Sequence, residues 1–160
     1  TLQDLPSEDI LQVPFVNAAF WMIPIHVLQK VGGFCPLFYH YGEDKDFVNR
    51  LHYHQYQVGY SPRVFGNHDR EYRPLTHEGF LRTESVYHLS EYVNINHPWL
   101  KAFGYGVLAV MKKALASLIS GKFQLSKDYL RMGFQLLSRS TEIQSYRKIN
   151  RLSQPHYIQK

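Results

Sequence analysis

The order of apolar and polar positions divides the chain into a front of short, irregular elements and a back of helical period. Val13–Ile23 (VPFVNAAFWMI) is almost unbroken apolar and aromatic sequence, the pattern of a strand or strand-turn buried on both faces. At about 11 residues it is too short to span a bilayer. Residues 1–12, polar around Pro6, read as a leader or linker. Pro24 then opens a short helix in which Val27, Leu28 and Val31 pack to one side, Lys30 sits at the negative end, and Gly32 or Gly33 supplies a left-handed stop. Phe47, Val48 and Leu51 share one face of a second helix, predicted from about Glu43 to Gln55. Val58, Tyr60 and Val64 alternate with polar and turn residues. They predict a short strand, a turn at Ser61–Pro62 and a second short strand ending near His68, before a charged surface loop at Asp69–Arg73.

From Thr76 the period is helical. A helix over residues 77–94 places Phe80, Leu81, Glu84, Tyr87 and His88 on one side, and a loop follows at Asn94–Pro98. From Trp99 to about Ile119 a second helix carries Leu100, Phe103, Val107, Leu108, Met111, Leu115 and Leu118 on one face, and its longest uncharged run, Ala102–Met111, is too short for a transmembrane span. A third is predicted from Ser126, as N-cap, through Tyr129, Leu130, Phe134 and Leu137. The basic, polar tail from Arg139 is expected to fray. The resulting organisation is a leader (1–12), a compact α+β part (13–74) and a basic amphipathic helical extension (75–160), with the boundary near Pro74.

Composition sharpens this picture in three places. With 44% hydrophobic and 19% charged residues the chain is globular rather than disordered or fibrous, and its 12 Tyr and 10 Phe supply either buried area or sugar-stacking surfaces. Cys35, the single cysteine, cannot form an internal disulfide, which fits a reducing compartment. No basic-apolar-small signal pattern argues for secretion, and the sequence reads as part of something longer. The net charge of +5 is uneven: residues 1–74 carry 6 Lys+Arg against 8 Asp+Glu, residues 75–160 carry 12 against 5. An acidic front fits carboxylate chemistry. A basic back fits either attraction to something anionic or a solvated basic face; no nucleic-acid reading motif is present, so nucleic acid is not an expected partner.

The candidate chemistry centres on Tyr39–Phe47 (YHYGEDKDF), where Glu43, Asp44 and Asp46 follow a glycine within four residues. They are either ordinary acids at a helix start, stabilised by the helix dipole by about 0.3–1 kcal/mol each, or a working site in which a cation or substrate proton offsets their repulsion. His52 and His54, two apart, point to different sides of a helix and cannot chelate together. His40 by itself does not make a hydrolase metal site. Tyr39, Tyr41, Trp21 and Trp99 are the stacking platforms available to a non-catalytic carbohydrate- or partner-binding module.

Taken in order, VPFVNAAFWMIP, LQKVGGF, FYHYGEDKDFVNRL and YQVGYSPRVFGNH resemble the acceptor-side half of family 2 glycosyltransferases, which have the GT-A nucleotide-sugar fold. The residues that carry the resemblance are Gly32, Gly33 and Phe34, then Tyr41 to Asp44 with Asp46, then Arg50 and Leu51, and His68, all within residues 13–70. The resemblance implies the C-terminal part of a GT-A α/β domain followed by an α-helical extension, and inverting transfer of a sugar from a nucleotide-sugar donor to an acceptor hydroxyl. Asp44 matches the general base. Glu43, with Tyr41 and Trp21, falls on the acceptor side, Asp46 reads as a helix-turn acid, His68 matches a metal or diphosphate ligand, and Arg70 and Arg73 lie toward the diphosphate.

The resemblance also implies a divalent metal, Mg or Mn, held with a nucleotide-binding half. No Asp-x-Asp on a strand precedes Val13, and the only such string, Asp44-Lys45-Asp46, lies inside a different motif. Cys35 replaces an aspartate usual in the family, and Gln55–Tyr56 replace a frequent glycine. The 160 residues alone are therefore expected to be inactive. The expected acceptor is a saccharide or lipid-linked saccharide, and the expected setting is cell-envelope polysaccharide synthesis in the cytoplasm, peripheral on the cytoplasmic face of the membrane. The basic helices of residues 99–139, with Lys101, Lys112, Lys113, Lys122, Lys127 and Arg131, either lie on the membrane or cover the catalytic domain or a twin subunit in a homo-oligomer.

Overall fold

The computed structural model describes residues 10–39, 41–64, 66, 74 and 76–158. Among them the chain is mostly helical with one two-stranded sheet, a mixed α+β class. It divides into two compact units, residues 1–74 with 150–160, and residues 75–149.

In the first unit β1 (Leu11–Val13) pairs antiparallel with β2 (Val58–Tyr60), Leu11 opposite Tyr60 and Val13 opposite Val58. The strand expected over Val13–Ile23 is thus confined to its first residue. Pro14 has no N–H to extend the ladder, Ala19 N–H turns back on Asn17 O at 2.8 Å, and Phe20 and Met22 face solvent. Val64 lies outside any strand, and the rest of the expected second strand, with His68, falls outside the described residues. Helix α1 (Ile25–Val31) follows Pro24 and stops at Gly32, whose φ of 84° requires a glycine. Helix α2 (Glu43–Tyr53) ends two residues before the expected Gln55, which itself turns left-handed at φ 63°. Val27, Val31, Phe47 and Leu51 form the core between α1 and α2, with Trp21, Ile23, Tyr56 and Val58 packed on its rim.

The end of the chain completes this unit. Gly33 N–H donates to His156 O at 2.7 Å and Tyr157 Oη–H to Asn150 Oδ1 at 2.7 Å. A Cβ on Gly32 would lie 2.6 Å from His156 O, so backbone meets backbone at the glycine pair.

In the second unit α3 (His77–Val93) is capped by Thr76, whose hydroxyl oxygen accepts Gly79 N–H at 3.0 Å. A continuous helix of 21 residues, Trp99–Ile119, follows, long and apolar enough by length and composition to cross a membrane, although the sequence places Lys101, Lys112 and Lys113 along it and a third of its apolar window is buried within the protein. It comprises α4 (Trp99–Phe103), a π-helical turn (Gly104–Leu108) and α5 (Ala109–Ile119). The carbonyl of Tyr105, inside the π turn, accepts His88 Nδ1–H at 2.9 Å. Helix α6 (Phe123–Ser138) begins before the expected cap: Ser126 is buried inside it and donates its hydroxyl to Ala114 O at 2.8 Å, tying α6 to α5. The tail expected to fray instead forms α7 (Ser140–Asn150). It is held because Arg147, buried, donates to the carbonyls of Tyr92, Asn94 and His97, which the end of α3 leaves without helical partners.

Candidate functional site

The acidic turn is built by an unusual backbone. Gly42 is the N-cap of α2 in the left-handed region (φ 89°), and Tyr41 before it is also left-handed at φ 71°. A tyrosine there carries strain on the order of 1 kcal/mol, which persists only where the surroundings over-determine it. The chain thereby enters α2 abruptly, with Glu43, Asp44 and Asp46 all in the first turn.

The three acids have three different environments. Asp46 is 2% exposed and its Oδ2 accepts Arg50 Nε–H at 2.8 Å, an i,i+4 pair on the buried face of α2. Arg50, fully buried, also donates Nη1–H to Val31 O and Nη2–H to Gly33 O, both at 2.7 Å. One guanidinium thus joins the acidic turn to the end of α1 and the glycine pair. Burial pushes the Asp46 carboxyl above its ordinary value, and the Arg50 charge offsets part of that rise. Asp46 is therefore a structural anchor, where the sequence alone reads as an ordinary helix-turn acid.

Asp44 is half-buried, and its Oδ1 accepts the N–H of Lys45 at 2.7 Å. Glu43 differs again: its Oε2 is shut from solvent and finds no hydrogen-bond partner among the described residues. A buried carboxylate oxygen without a donor costs about 1–3 kcal/mol.

Aromatic residues surround this turn in two groups. Trp21 is half-buried in a trio with Phe34 and Phe47, at centroid distances of 6.3 and 5.7 Å, and its indole N–H donates to Asn17 O at 3.0 Å. It forms the rim of the core. Tyr39 and Tyr41 are open, at 102% and 48% exposure. Behind the glycine pair, Cys35 is buried near Asp46, and its thiol is pushed up to about 11, chiefly by burial, which disfavours the thiolate. His40, His68, Arg70 and Arg73 lie outside the described residues. Among the described residues no three metal-ligating side chains come together.

A second cluster lies within the second unit. Lys113 Nζ and Tyr129 Oη both donate to Glu84 Oε2, the latter at 2.9 Å, and His88 Nε2 lies 3.9 Å from the same oxygen. Burial alone would raise Glu84, but the bonds from Lys113 and Tyr129 hold it below the usual carboxylate range, while burial lowers His88. Lys113, Tyr129 and Glu84 satisfy one another inside a helical bundle and tie α3 to α5 and α6, while His88 Nε2 is buried without a hydrogen-bond partner among the described residues.

Arg50 and the returning segment at His156–Tyr157 are the positions that pattern reasoning did not single out as supporting the acidic turn. The i,i+4 spacing of Asp46 and Arg50 was the available signal for the first; nothing local in the tail marks the second. No known protein family, curated protein or solved structure matches the chain.

Proposed function

We propose that residues 13–74 form the acceptor-side part of a family 2 inverting glycosyltransferase of GT-A fold, with Asp44 as the general base. The observation that supports this reading most directly is the pairing, in one clamped turn, of a partly open Asp44 carboxylate with a Glu43 oxygen that is buried and without a donor among the described residues. Glu43 orients the site from the acceptor side, and an acceptor hydroxyl gives its proton to the partly open Asp44 carboxylate as its oxygen attacks the anomeric carbon of the donor and the nucleoside diphosphate departs. The Asp46–Arg50 anchor keeps both carboxylates still during that step, and the open Tyr39 and Tyr41 rings offer stacking surface to the acceptor.

A divalent cation would supply positive charge to the departing diphosphate. Among the described residues no three metal-ligating side chains come together, and the resemblance puts His68, Arg70 and Arg73 on the side of the metal and the diphosphate. In the full-length protein Asp44→Asn is expected to lower turnover by about 10²–10⁴-fold with acceptor affinity unchanged, because the amide oxygen can still accept Lys45 N–H and α2 stays intact. Turnover at the wild-type level would remove Asp44 from the mechanism. The exposure of Tyr39 and Tyr41 favours a second reading, a carbohydrate-binding module; it predicts saccharide binding, lost on Tyr41→Ala, with no transfer from any sugar nucleotide by the full-length protein.

A further inference from the structure

The second unit carries an exposed face whose chemistry is independent of glycosyl transfer. α5 and α6 meet where Gly133 approaches Met111, a Cβ there falling 2.6 Å from Met111 Sδ. Leu108 and Leu115 sit one turn either side of Met111, and Leu130 and Leu137 one turn either side of Gly133, so all four border the same seam. None is buried: their exposures run from 39% to 58%. At the end of the hairpin Ile119 and Phe123 are 79% and 70% exposed, and Phe134 is 61% exposed beside the seam. The buried positions of the two helices, among them Val110, Ala114, Met132 and Leu136, take up the other side. A contiguous apolar face of this kind marks a contact surface.

The charges around it have one sign. Between Trp99 and Ser138 the only acid is Asp128, which is buried, takes bonds from Gln124 and His77, and lies 3.7 Å from the exposed Arg131 guanidinium. Lys101, Lys112, Lys122, Lys127 and Arg131 are all exposed. We infer that the α5–α6 face docks on an anionic lipid surface, its Leu, Ile and Phe side chains entering the acyl boundary and its Lys and Arg side chains reaching the headgroups. A second copy of this face is disfavoured, because it would set two groups of cations against each other. A spanning arrangement of Trp99–Ile119 is disfavoured too: the helix's other side is committed to protein through Lys113 with Glu84 and through the Ser126–Ala114 bond.

The test is co-sedimentation of the full chain with sucrose-loaded vesicles of phosphatidylcholine, with and without one-third phosphatidylglycerol. Binding is expected only to the anionic vesicles, to weaken in high salt, and to be released by an alkaline wash. Each basic residue near such a surface strengthens binding about five-fold, so Lys127→Gln with Arg131→Gln is expected to weaken it about 30-fold. Leu115→Ser with Phe134→Ser is expected to abolish it while leaving the thermal midpoint unchanged, since both side chains are exposed. Three results would overturn the inference: no sedimentation with anionic vesicles, equal binding by the charge-neutralised variant, or protein that resists the alkaline wash. Self-association that is lost in Leu115→Ser/Phe134→Ser, without vesicle binding, would assign the face to a second copy instead. Because neither variant touches the acidic turn, failure here leaves the glycosyltransferase reading standing, and the reverse.

Discussion

Replacing Arg50 by Met tests whether one guanidinium holds the acidic turn in place. The substitution keeps the apolar stem over the Phe47 ring, where the guanidinium carbon lies 5.1 Å from the centroid, and removes three hydrogen bonds at once. It leaves the Asp46 carboxylate buried without a counter-charge and the Val31 and Gly33 carbonyls without donors. Breaking a buried pair from one side costs about 3–5 kcal/mol, a large share of the roughly 5–15 kcal/mol that holds a domain of this kind folded. The loss depends on pH. With Arg50 gone only burial acts on Asp46, so its folded pKa stands well above the ordinary 3.8 and the unfolded chain releases the proton first. Stability therefore falls as pH rises through that interval, and the deficit at about pH 7.5 exceeds that at about pH 5.

The assay is urea unfolding followed by Trp21 emission in a Trp99→Phe background, which makes the single remaining tryptophan a reporter of the first unit. Asp46→Leu with Arg50→Met removes the uncompensated charge and is expected to recover about half of the loss, the two carbonyls still lacking donors. A deficit under about 1 kcal/mol for Arg50→Met, or a double variant no more stable than the single, would refute the anchoring role.

Gly32→Ala places a Cβ 2.6 Å from His156 O at a backbone φ of 84°, so it is expected to cost about 2–3 kcal/mol and to loosen residues 151–158, read as faster tryptic cleavage after Arg151; unchanged cleavage would contradict the packing described. His88 is buried, donates Nδ1–H to Tyr105 O and faces Glu84 and Lys113, and burial holds its pKa below the ordinary 6.5. The unfolded chain then takes up a proton that the folded one refuses, so the second unit is expected to lose about 1 kcal/mol per pH unit below about 6.5. His88→Gln flattens that slope, measured by thermal unfolding at several pH values; Glu84, whose lowered pKa acts only below 4.5, leaves this window untouched.

Punctuation residues made the helices around the site legible. Pro24 and Gly32 bound α1, Gly42 and the acids open α2, and the apolar spacing after Thr76 gives α3, because each of these is a local effect that the sequence states directly. Where the outcome depended on distant partners the reading failed. Val13–Ile23 has the composition of a buried strand, but strand formation needs a neighbour, and β2 offers three residues of pairing before Pro14 ends the ladder. The tail from Arg139 is polar, yet Arg147 finds the carbonyls of Tyr92, Asn94 and His97 and His156 O finds Gly33 N–H, all many residues away. In the acidic turn, three carboxylates that look alike in sequence are separated only by burial, which set Asp46 apart as an anchor and left Glu43 without a donor among the described residues.

The docking of His156 and Tyr157 against the glycine pair also fixes an order of assembly. During synthesis α1, α2 and the acidic turn emerge early, yet the backbone that seals Gly33 is made only after all of residues 75–149. At about 5–20 residues per second that delay is several seconds, long enough for the helices of the second unit to form first. The part of the chain that holds the candidate chemistry is thus begun first and closed last. Any shortened version ending before Asn150 contains every residue of the acidic turn but lacks the segment that closes its support.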